Sequence, residues 1–306
     1  TWGTNAITID SNGLNYQGED DGNTVEYTTS GQSINIVYSD ATKGWIPLED
    51  DVTALEPTAP PTQKAIFGYG SGRTNITNLI NSSGVVGADV TGVGTARNGL
   101  AAAGYGGDKA IFGFGTTGSF TAITNLVNNS GVVAADVSGV GTARMELAAA
   151  TYGTDKAIFG YGTNSSEGTP LSLTNLVNNS GVVASDTTGV GTDKRTLAAT
   201  GYGTDKAIFG YGLDSGNSST TNLVSNSGVV ATDTSGVGTA RYGLAAARYG
   251  GDKALFAYGY ASGNVSLKNL VSNLGVVAAD VSGVGTARQG VAAAGYGGDK
   301  AIFGYG

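Results

Sequence analysis

The stretch Thr124–Gly162, TNLVNNSGVVAADVSGVGTARMELAAATYGTDKAIFGYG, is the clearest copy of a phrase that the chain repeats. Its last seven residues, KAIFGYG, recur with small changes at separations of 45, 47, 50, 47 and 47 residues, beginning at Lys64, Lys109, Lys156, Lys206, Lys253 and Lys300. A fixed period of this size indicates a repeat architecture. The chain therefore holds five units of one design and a sixth KAIFGYG.

Length varies in only one segment of each unit. From every Thr-Asn-Leu or Lys-Asn-Leu to the next KAIFGYG-type lysine there are 32 residues. The segment between KAIFGYG and Asn-Leu holds 6, 8, 11, 8 or 8 residues, at 71–76, 116–123, 163–173, 213–220 and 260–267. We call these segments the variable loops.

Composition indicates an all-β protein. The 306 residues include 52 Gly, and 40% are hydrophobic against 13% charged, so the chain can bury a large core. The apolar residues are mostly Ala, Val, Ile and Tyr, which favours strands over amphipathic helices.

Charge and missing residue types exclude several functions. The net charge is −8, and the 16 basic residues form no stripe, so we expect neither nucleic acid nor an anionic membrane as partner. The chain has no Cys and no His, which removes thiol chemistry, a Ser-His-Asp triad and the commonest transition-metal ligand. No apolar run approaches about 18 residues, so no membrane insertion is expected. We expect no cofactor.

Residues 1–56 contain no copy of the repeat. Asn12-Gly13 and Asp21-Gly22 are hairpin signals. They separate segments of period two, at Ile7 and Ile9, Leu14 and Tyr16, Val25 and Tyr27, and Ile34, Ile36 and Tyr38. This pattern predicts a β meander with Trp45 as an anchor. So small a sheet cannot bury enough surface alone, so we expect it to oligomerise. Residues 57–63 form a proline-rich linker to the repeat domain at 64–306.

The runs TWGTNAITIDSNGLNYQG, TTSGQSINIVYSDATKGWIP and EDDVTALEP resemble a small β-rich module of bacteriophage tail fibres and other virion surface proteins. The resemblance covers about 55 residues. It implies a homotrimer through this module, contacts with other virion proteins, and an extracellular place at the virion surface. It carries no functional residue over to this chain.

Each repeat offers four strand candidates, KAIFGYG, TNLVNNS, GVVAADV and GLAAAGY, which predicts the four-stranded blades of a β-propeller. A β-solenoid or linear stack is the alternative. The order GTAR, GLAAAGYGGD, KAIFGYG resembles the kelch type of propeller repeat. The kelch double glycine is here Gly-Tyr-Gly and the late tryptophan is missing, so kelch partners are not inferred.

The strand types are unequal in number, with six KAIFGYG strands against five of each other type. Either the last GLAAAGY strand closes the first blade, or further blades follow Gly306. We favour the second interpretation and expect the chain to be part of a longer one.

Two sets of aspartates recur with the repeat. One precedes the lysine, as at Asp108, and could form a cation-binding ring or merely stabilise a turn; we favour the turn. The other set is paired by position with a basic residue of the same unit, as Asp136 is with Arg144, and predicts an ion pair in each unit. A residue copied five times argues against catalysis, because an active site needs unlike groups converging once.

Hydrolytic and calcium sites are also not expected. No Asp-x-Asp-x-Asp-Gly loop is present, and Ser39–Trp45 echoes a sialidase Asp box with the wrong spacing. Glycoside hydrolysis needs two carboxylates about 5–10 Å apart, and Glu167 is the only glutamate in the variable loops. We therefore predict that the protein is not an enzyme.

The variable loops are the candidate binding surface, because unlike groups there stand on near-identical scaffolding. The candidate ligand-binding residues are Arg73, Phe120, Glu167, Asp214 and Tyr260. Aromatic and short polar groups suit a saccharide; the alternative is that exposed loops drift freely.

Together these features predict a phage tail-fibre or adsorption protein that binds a host-surface glycan. A purely structural fibre or decoration protein without a ligand is the alternative. A polysaccharide-degrading enzyme using Glu167 or Asp214 is a weaker one.

Overall fold

The structure is a computed structural model in which residues 7–18, 25–27, 34–49 and 64–306 are described. The chain divides into two compact units, Thr1–Pro61 and Thr62–Gly306. Every helix or strand among the described residues is a β-strand, so the prediction of an all-β chain is confirmed. In the same residues no helix has the length and hydropathy to span a membrane. The predicted linker at 57–63 lies outside the described residues.

The N-terminal unit holds two small antiparallel sheets. They pair β1 (Ile7–Ile9) with β2 (Val25–Tyr27), and β3 (Asn35–Asp40) with β4 (Gly44–Glu49). Tyr16, Val25 and Tyr27 form a buried cluster, and Trp45 packs against it. The Tyr16 and Tyr27 hydroxyls are 2.8 Å apart and share a hydrogen bond. The predicted anchoring by Trp45 is therefore confirmed.

The predicted meander is wrong in one respect: the segment around Leu14 and Tyr16 is not a strand. Asn12 and Gly13 have φ values of 55° and 77°, so the predicted turn does form. Instead of returning along β1, the chain then bonds to β4, because Trp45 donates to the Asn15 carbonyl and its own carbonyl accepts from the Gln17 N–H. The second predicted hairpin, Asp21-Gly22, lies outside the described residues.

The C-terminal unit, Thr62–Gly306, contains sixteen strands in six antiparallel sheets. Sheet 1 is β5 (Ala65–Gly68) and β6 (Thr77–Ile80); sheet 2 is β7 (Ala101–Tyr105), β8 (Lys109–Gly113) and β9 (Thr124–Val127); sheet 3 is β10 (Ala148–Tyr152), β11 (Lys156–Gly160) and β12 (Thr174–Val177). Sheet 4 is β13 (Ala198–Tyr202), β14 (Lys206–Leu213) and β15 (Asn217–Val224); sheet 5 is β16 (Ala245–Tyr249), β17 (Lys253–Ala257) and β18 (Lys268–Val271); sheet 6 is β19 (Ala292–Tyr296) and β20 (Lys300–Gly304).

Within a sheet, a GLAAAGY-type strand pairs with the KAIFGYG-type strand that follows it, and this strand pairs with the TNL strand. In sheet 3, Ala148 lies opposite Gly160 and Tyr152 opposite Lys156, so a tight turn joins the two strands. Alanine and glycine recur on the first strand, and these small side chains let neighbouring sheets approach closely.

The core lies between successive sheets. Ile158 and Tyr161 of sheet 3 pack on Leu197, Ala207 and Phe209 of sheet 4, all of them buried. Equivalent clusters lie between sheets 2 and 3 and between sheets 4 and 5. Sheets 3 and 4 are thus apolar on both faces, which explains why their KAIFGYG strands are continuous apolar runs rather than alternating ones.

The predicted fourth strand, GVVAADV, is not a strand in any unit. In sheet 2 this segment touches β9 only through isolated bridges, Thr124 to Val137 and Val127 to Val133. The two bridges differ by one residue in register, as at a bulge. Between them the Asn125 side chain donates to the Ala134 carbonyl at 3.0 Å and replaces a backbone pairing. Each sheet therefore has at most three strands.

Contacts between neighbouring sheets form a closed series. In each contact a phenylalanine of one sheet lies 5.1 to 5.8 Å, between ring centroids, from an aromatic residue of the previous one. The pairs are Tyr69–Phe112, Phe114–Phe159, Tyr161–Phe209, Tyr211–Phe256, Tyr258–Phe303 and Tyr305–Phe67. The last pair joins sheet 6 to sheet 1, and β19 also contacts β5. The prediction of one regular repeat therefore extends to the packing between units.

One sequence interpretation of the unequal strand count is contradicted. The last GLAAAGY-type strand, β19, does not pair with the first KAIFGYG strand, β5; it pairs with β20. The reason is local: β19 and β20 are joined by the same short turn that forms every other such hairpin.

Candidate functional site

The variable loops lie at one edge of the sheets. In sheet 2, β8 ends where β7 begins, because Gly113 pairs with Ala101, and the loop that follows β8 emerges there. A bridge between Asn98 and Thr116 ties the start of this loop to the residues before β7. The same bridge recurs in later units, as Met145–Thr163, Arg195–Leu213 and Tyr242–Tyr260.

A chain of backbone hydrogen bonds links these edges from sheet to sheet. The N–H of Glu146 donates to the Gly99 carbonyl, that of Thr196 to Glu146, that of Gly243 to Thr196, and that of Gly290 to Gly243, at 2.8 to 3.0 Å. The variable loops therefore share one surface, which we call the loop face.

The loop face also contains five residue pairs that vary between units and that the sequence analysis missed. We call them the junction residues: Asn98-Gly99, Met145-Glu146, Arg195-Thr196, Tyr242-Gly243 and Gln289-Gly290. They stand between the repeated GTAR or GTDK and the repeated LAA or VAA. The sequence does show this contrast in residue type, but the junction residues keep a constant spacing, so variation in length does not reveal them.

The five predicted ligand-binding residues occupy the loop face but do not form one site. Arg73 and Glu167 are exposed, whereas Phe120, Asp214 and Tyr260 are half-buried. Within residues 64–306 no hydrogen bond, ion pair or ring contact joins any two of their side chains. They therefore remain separate candidates around the surface.

Two of the predicted residues have local roles. Asp214 accepts hydrogen bonds from the Gly216 N–H at 3.1 Å and the Ser215 hydroxyl at 3.2 Å, so its carboxylate stabilises its own loop. Arg73 reaches toward the neighbouring variable loop, where a Cβ on Gly118 would lie 3.7 Å from its Nη1.

Among the predicted residues, Tyr260 has a ring contact with a junction residue at the surface. Its ring lies 5.4 Å from the ring of the junction residue Tyr242, at an interplanar angle of 42°. Both side chains are partly exposed. Next to them the Asn217 amide donates to the Ala261 carbonyl at 2.9 Å and ties two variable loops together. The aromatic pair therefore lies at the surface beside a hydrogen bond that joins two variable loops.

A second group of unlike residues lies on the same face. The Arg195 guanidinium forms an ion pair with Glu146 at 2.6 Å, and the Thr196 hydroxyl donates to the same carboxylate at 3.0 Å. Glu146 and Thr196 have φ values of 58° and 53°, where their counterparts in three other units are glycine. A non-glycine residue in this region carries backbone strain, and such strain concentrates at functional positions.

The second set of aspartates forms clamps between sheets, not ion pairs within a unit. Thr142 donates its N–H and hydroxyl to Asp186 of the next unit, at 2.9 and 2.6 Å. Arg144 donates to Asn175 at 2.7 Å and lies 3.8 Å from Asp186. The predicted pairing of Asp136 with Arg144 is therefore wrong. Adjacent sheets pack face to face. The segment after the TNL strand of one sheet, which carries Asp186, therefore meets the preceding GTAR segment, which carries Thr142.

The clamp occurs four times, each joining one sheet to the next. The threonine, cation, asparagine and aspartate are in turn Thr95, Arg97, Asn125 and Asp136; Thr142, Arg144, Asn175 and Asp186; Thr192, Lys194, Asn222 and Asp233; and Thr239, Arg241, Asn269 and Asp280. All four cations are buried. Each also lies over an aromatic ring of the KAIFGYG-type segment that precedes it in the chain, at 4.3 to 5.7 Å.

Hydrogen bonding sets the charge state of the clamps. Burial acts to raise the pKa of the Asp186 carboxyl, but the hydrogen bonds from Thr142 and Asn175 and the charge of Arg144 outweigh it and hold the pKa below its ordinary 3.8. The pKa values of Asp136, Asp233 and Asp280 are lowered in the same way. Burial lowers the pKa of Arg144 to about 10, so the guanidinium stays charged at neutral pH.

The lowered pKa values of the clamp aspartates predict that acid destabilises the folded protein. A carboxyl whose pKa is lower in the folded state contributes stability above its unfolded pKa, and this contribution is lost as pH falls through the folded value. We therefore expect the urea midpoint to fall steeply below about pH 4. Asp186→Asn is expected to lower the midpoint at pH 7 and to flatten this pH dependence. Asp89→Asn, at the same repeat position but without a threonine donor in residues 64–306, is the matched control and is expected to have a smaller effect; equal effects would contradict the prediction.

The first set of aspartates lies at the opposite edge of the sheets. Asp108 is 2.6 Å from the Lys109 ammonium and accepts from the Asn129 amide at 3.1 Å. Hydrogen bonding to the adjacent lysine is the largest cause of the lowered pKa of this carboxyl. The same arrangement recurs at Asp205 with Lys206 and Asn226. These carboxylates are neutralised pairwise, which supports the turn role over the cation ring.

The loop face presents aromatic, charged and hydroxyl side chains, among them Tyr242, Tyr260, Glu146 and Arg195. Among the described residues no three His, Cys, Asp or Glu side chains gather in a way that could hold a metal ion. No known protein-family model matches this chain, and no curated protein matches it either.

Proposed function

We propose that residues 64–306 form a β-propeller-like ring of the kelch type whose loop face binds a saccharide. The closed series of contacts between six sheets supports the ring, since a linear stack or solenoid would leave its first and last sheets apart. The backbone bonds that link the junction residues from sheet to sheet support a single shared face.

One observation carries the binding proposal: the residues that differ between otherwise repeated units gather on the loop face. The Tyr242–Tyr260 pair presents apolar ring surface beside hydroxyl groups. Sugar rings combine apolar C–H faces with hydroxyls, and an aromatic pair with nearby hydrogen-bonding groups complements both. The Glu146–Arg195 pair adds a charged contact for polar or acidic sugar substituents.

At the level of the whole protein, we propose a non-enzymatic phage tail-fibre or adsorption protein at the virion surface, with a host-surface glycan as ligand. The support is the resemblance of the N-terminal segment to virion surface modules. On β3 the side chains of Ile36, Val37 and Tyr38 are exposed, which supports self-association through this unit, proposed to be trimeric. Asp214 is engaged in its own loop, which supports binding over hydrolysis.

The test is a bacterial surface polysaccharide array probed with the 306-residue protein. Replacing Tyr242 and Tyr260 together with alanine is expected to weaken retention about 10- to 100-fold, because the aromatic platform is lost. Tyr249→Ala, in the same sheet but at the opposite edge, is the matched control and is expected to retain binding. Binding that survives replacement of all five variable loops by one consensus loop would refute the loop face as the site.

A purely structural role is the second candidate, and one observation favours it. The first valine of each GVV sequence is exposed in all five units: Val85, Val132, Val182, Val229 and Val276. Exposed apolar groups repeated in this way suit contacts with neighbouring virion proteins. Absence of retention on every polysaccharide, together with ordered assemblies in electron micrographs, would favour this role over saccharide binding.

A further inference from the structure

One of the four clamps uses a lysine where the others use arginine. Lys194 occupies the position of Arg97, Arg144 and Arg241, and like them it is fully buried. A guanidinium keeps its proton at every pH that a folded protein experiences, whereas a lysine ammonium can lose one and become a nucleophile. Of the four clamp cations, Lys194 is therefore the one that can form a covalent bond.

The partner of this lysine is a carboxamide. The Lys194 Nζ donates to the Oδ1 of Asn222 at 2.8 Å, and both side chains are buried. Because a C=O bond measures about 1.2 Å, the Cγ of Asn222 lies no more than about 4 Å from Nζ. A nucleophile and its target held in this way react far faster than in free solution, and the exclusion of water removes competing hydrolysis.

A carboxylate lies beside both nitrogen atoms of this pair. The Oδ1 of Asp233 accepts from the Asn222 Nδ2 at 2.8 Å and lies 3.6 Å from the Lys194 Nζ. The flexible lysine side chain needs only a small movement to bring the second contact within hydrogen-bond reach. Thr192 donates its N–H and hydroxyl to the other oxygen of Asp233, at 2.9 and 2.6 Å, which holds the carboxylate in place. Asp233 is therefore positioned to carry protons from one nitrogen to the other.

The charge states of these groups suit proton transfer. Burial is the largest influence on Lys194 and lowers the pKa of its ammonium, against the charges of Asp233 and Asp214. Burial acts to raise the pKa of the Asp233 carboxyl, but the hydrogen bonds from Thr192 and Asn222 outweigh it and hold the pKa below its ordinary 3.8. The carboxylate is thus ionised at neutral pH and can accept a proton, while the lysine loses one more easily than a lysine in water.

The aromatic residue of this clamp is incompletely bonded. The Lys194 ammonium lies 5.7 Å from the centroid of the Tyr161 ring, against 4.3 to 4.4 Å for the arginines of the other clamps. The Tyr161 hydroxyl is buried and has no hydrogen-bond partner in residues 64–306, whereas that of Tyr211 donates to the Val237 carbonyl at 3.0 Å. Buried polar groups are almost always paired, so this clamp is less complete than the others as a set of hydrogen bonds.

We propose that Lys194 and Asn222 join in an intramolecular isopeptide bond that the folded protein forms by itself. Asp233 takes a proton from the lysine ammonium, and the neutral Nζ attacks the Cγ of Asn222. The Nζ–Cγ bond forms and the Cγ–Nδ2 bond breaks. Two protons pass in all from Nζ, through the Asp233 carboxylate, to Nδ2, which leaves as ammonium. No oxidant or further reactant is required.

The bond would be a permanent fastener in a chain that has no cysteine. It ties the segment that leaves sheet 3 to β15 of sheet 4, where the other clamps rely on hydrogen bonds and charge. The reaction occurs once in each molecule. This inference does not depend on saccharide binding by the loop face.

The experiment is mass spectrometry of the purified 306-residue protein, kept folded at neutral pH until its mass is constant. Loss of one ammonia is expected to leave the mass about 17 Da below that calculated from the sequence. Trypsin is expected to release a branched peptide in which residues 157–195 are attached to residues 207–241. The chain supplies three internal controls, since Asn125, Asn175 and Asn269 face arginines and are expected in unbranched peptides.

Variants separate the chemistry from the fold, which circular dichroism monitors. Lys194→Arg restores the arginine of the other clamps and is expected to fold and keep its full mass. Asp233→Asn is expected to reduce the fraction linked at equal times after cell-free synthesis at least about tenfold. Asp186→Asn, which damages the neighbouring clamp equally, is the matched control and is expected to link like the parent. An unbranched folded protein, a mass loss without the branched peptide, or equal linking of these two aspartate variants would overturn the proposal.

Discussion

Replacing Arg144 with methionine is expected to lower the free energy of unfolding by about 3–5 kcal/mol, since it removes one partner of a buried, hydrogen-bonded charge network. Its guanidinium is fully buried and donates to the carbonyls of Tyr161 and Thr142 and to the side chain of Asn175, at 2.7 to 3.1 Å. Methionine fills a similar volume but leaves those acceptors unpaired. The measurement is urea denaturation at pH 7 followed by circular dichroism.

The chain itself supplies the control for this substitution. The third clamp has Lys194 where the others have arginine, and its ammonium donates to Asn222 at 2.8 Å and lies 3.6 Å from Asp233. Arg144→Lys is therefore expected to cost less than half as much as Arg144→Met. Arg73→Met, at an exposed position, is expected to change stability by less than about 0.5 kcal/mol. Similar losses for Arg144→Met and Arg73→Met would show that the clamp contributes little.

Replacing Gly139 with alanine is expected to lower the free energy of unfolding by about 3 kcal/mol, at the upper end of the usual range for overpacking. A Cβ on Gly139 would lie 1.8 Å from the carbonyl oxygen of Ala122, so the turn and the variable loop would have to separate. A backbone carbonyl such as that of Ala122 cannot rotate away from the new Cβ as a flexible side chain could. The same close approach recurs at Gly92, Gly189, Gly236 and Gly283.

Gly216→Ala is the matched control for this glycine. An added Cβ there would meet nothing within 4 Å, so the substitution is expected to be neutral or slightly stabilising. Thermal unfolding of both variants in parallel measures the difference. A Gly139→Ala variant as stable as Gly216→Ala would show that the loop and turn are not packed as described.

The position of the strands was predictable to different degrees. KAIFGYG and GLAAAGY were correctly predicted as strands because each is a short apolar run bounded by glycine turns. GVVAADV has the same appearance, yet it makes only isolated bridges, because the Asn125 side chain takes the Ala134 carbonyl that a regular ladder would use. Side-chain competition for a backbone group has no signature in hydrophobic periodicity.

The candidate site was predictable only in part. The variable loops were visible as changes in length, and Tyr260 was among the residues chosen from them. Its partner Tyr242 lies 18 positions earlier, in a segment of constant length, and the two rings meet only because both segments emerge at one edge of the sheet. The Glu146–Arg195 pair joins adjacent units in the same manner.

By itself, the sequence determined the all-β class, the number of repeats and the one segment that varies in length, because period and residue type are local properties of a chain. Only the tertiary structure decided which unit each clamp residue binds and which unlike residues share a face. These depend on the angle at which one sheet packs on the next, an angle that large numbers of weak contacts set jointly and that no single residue encodes.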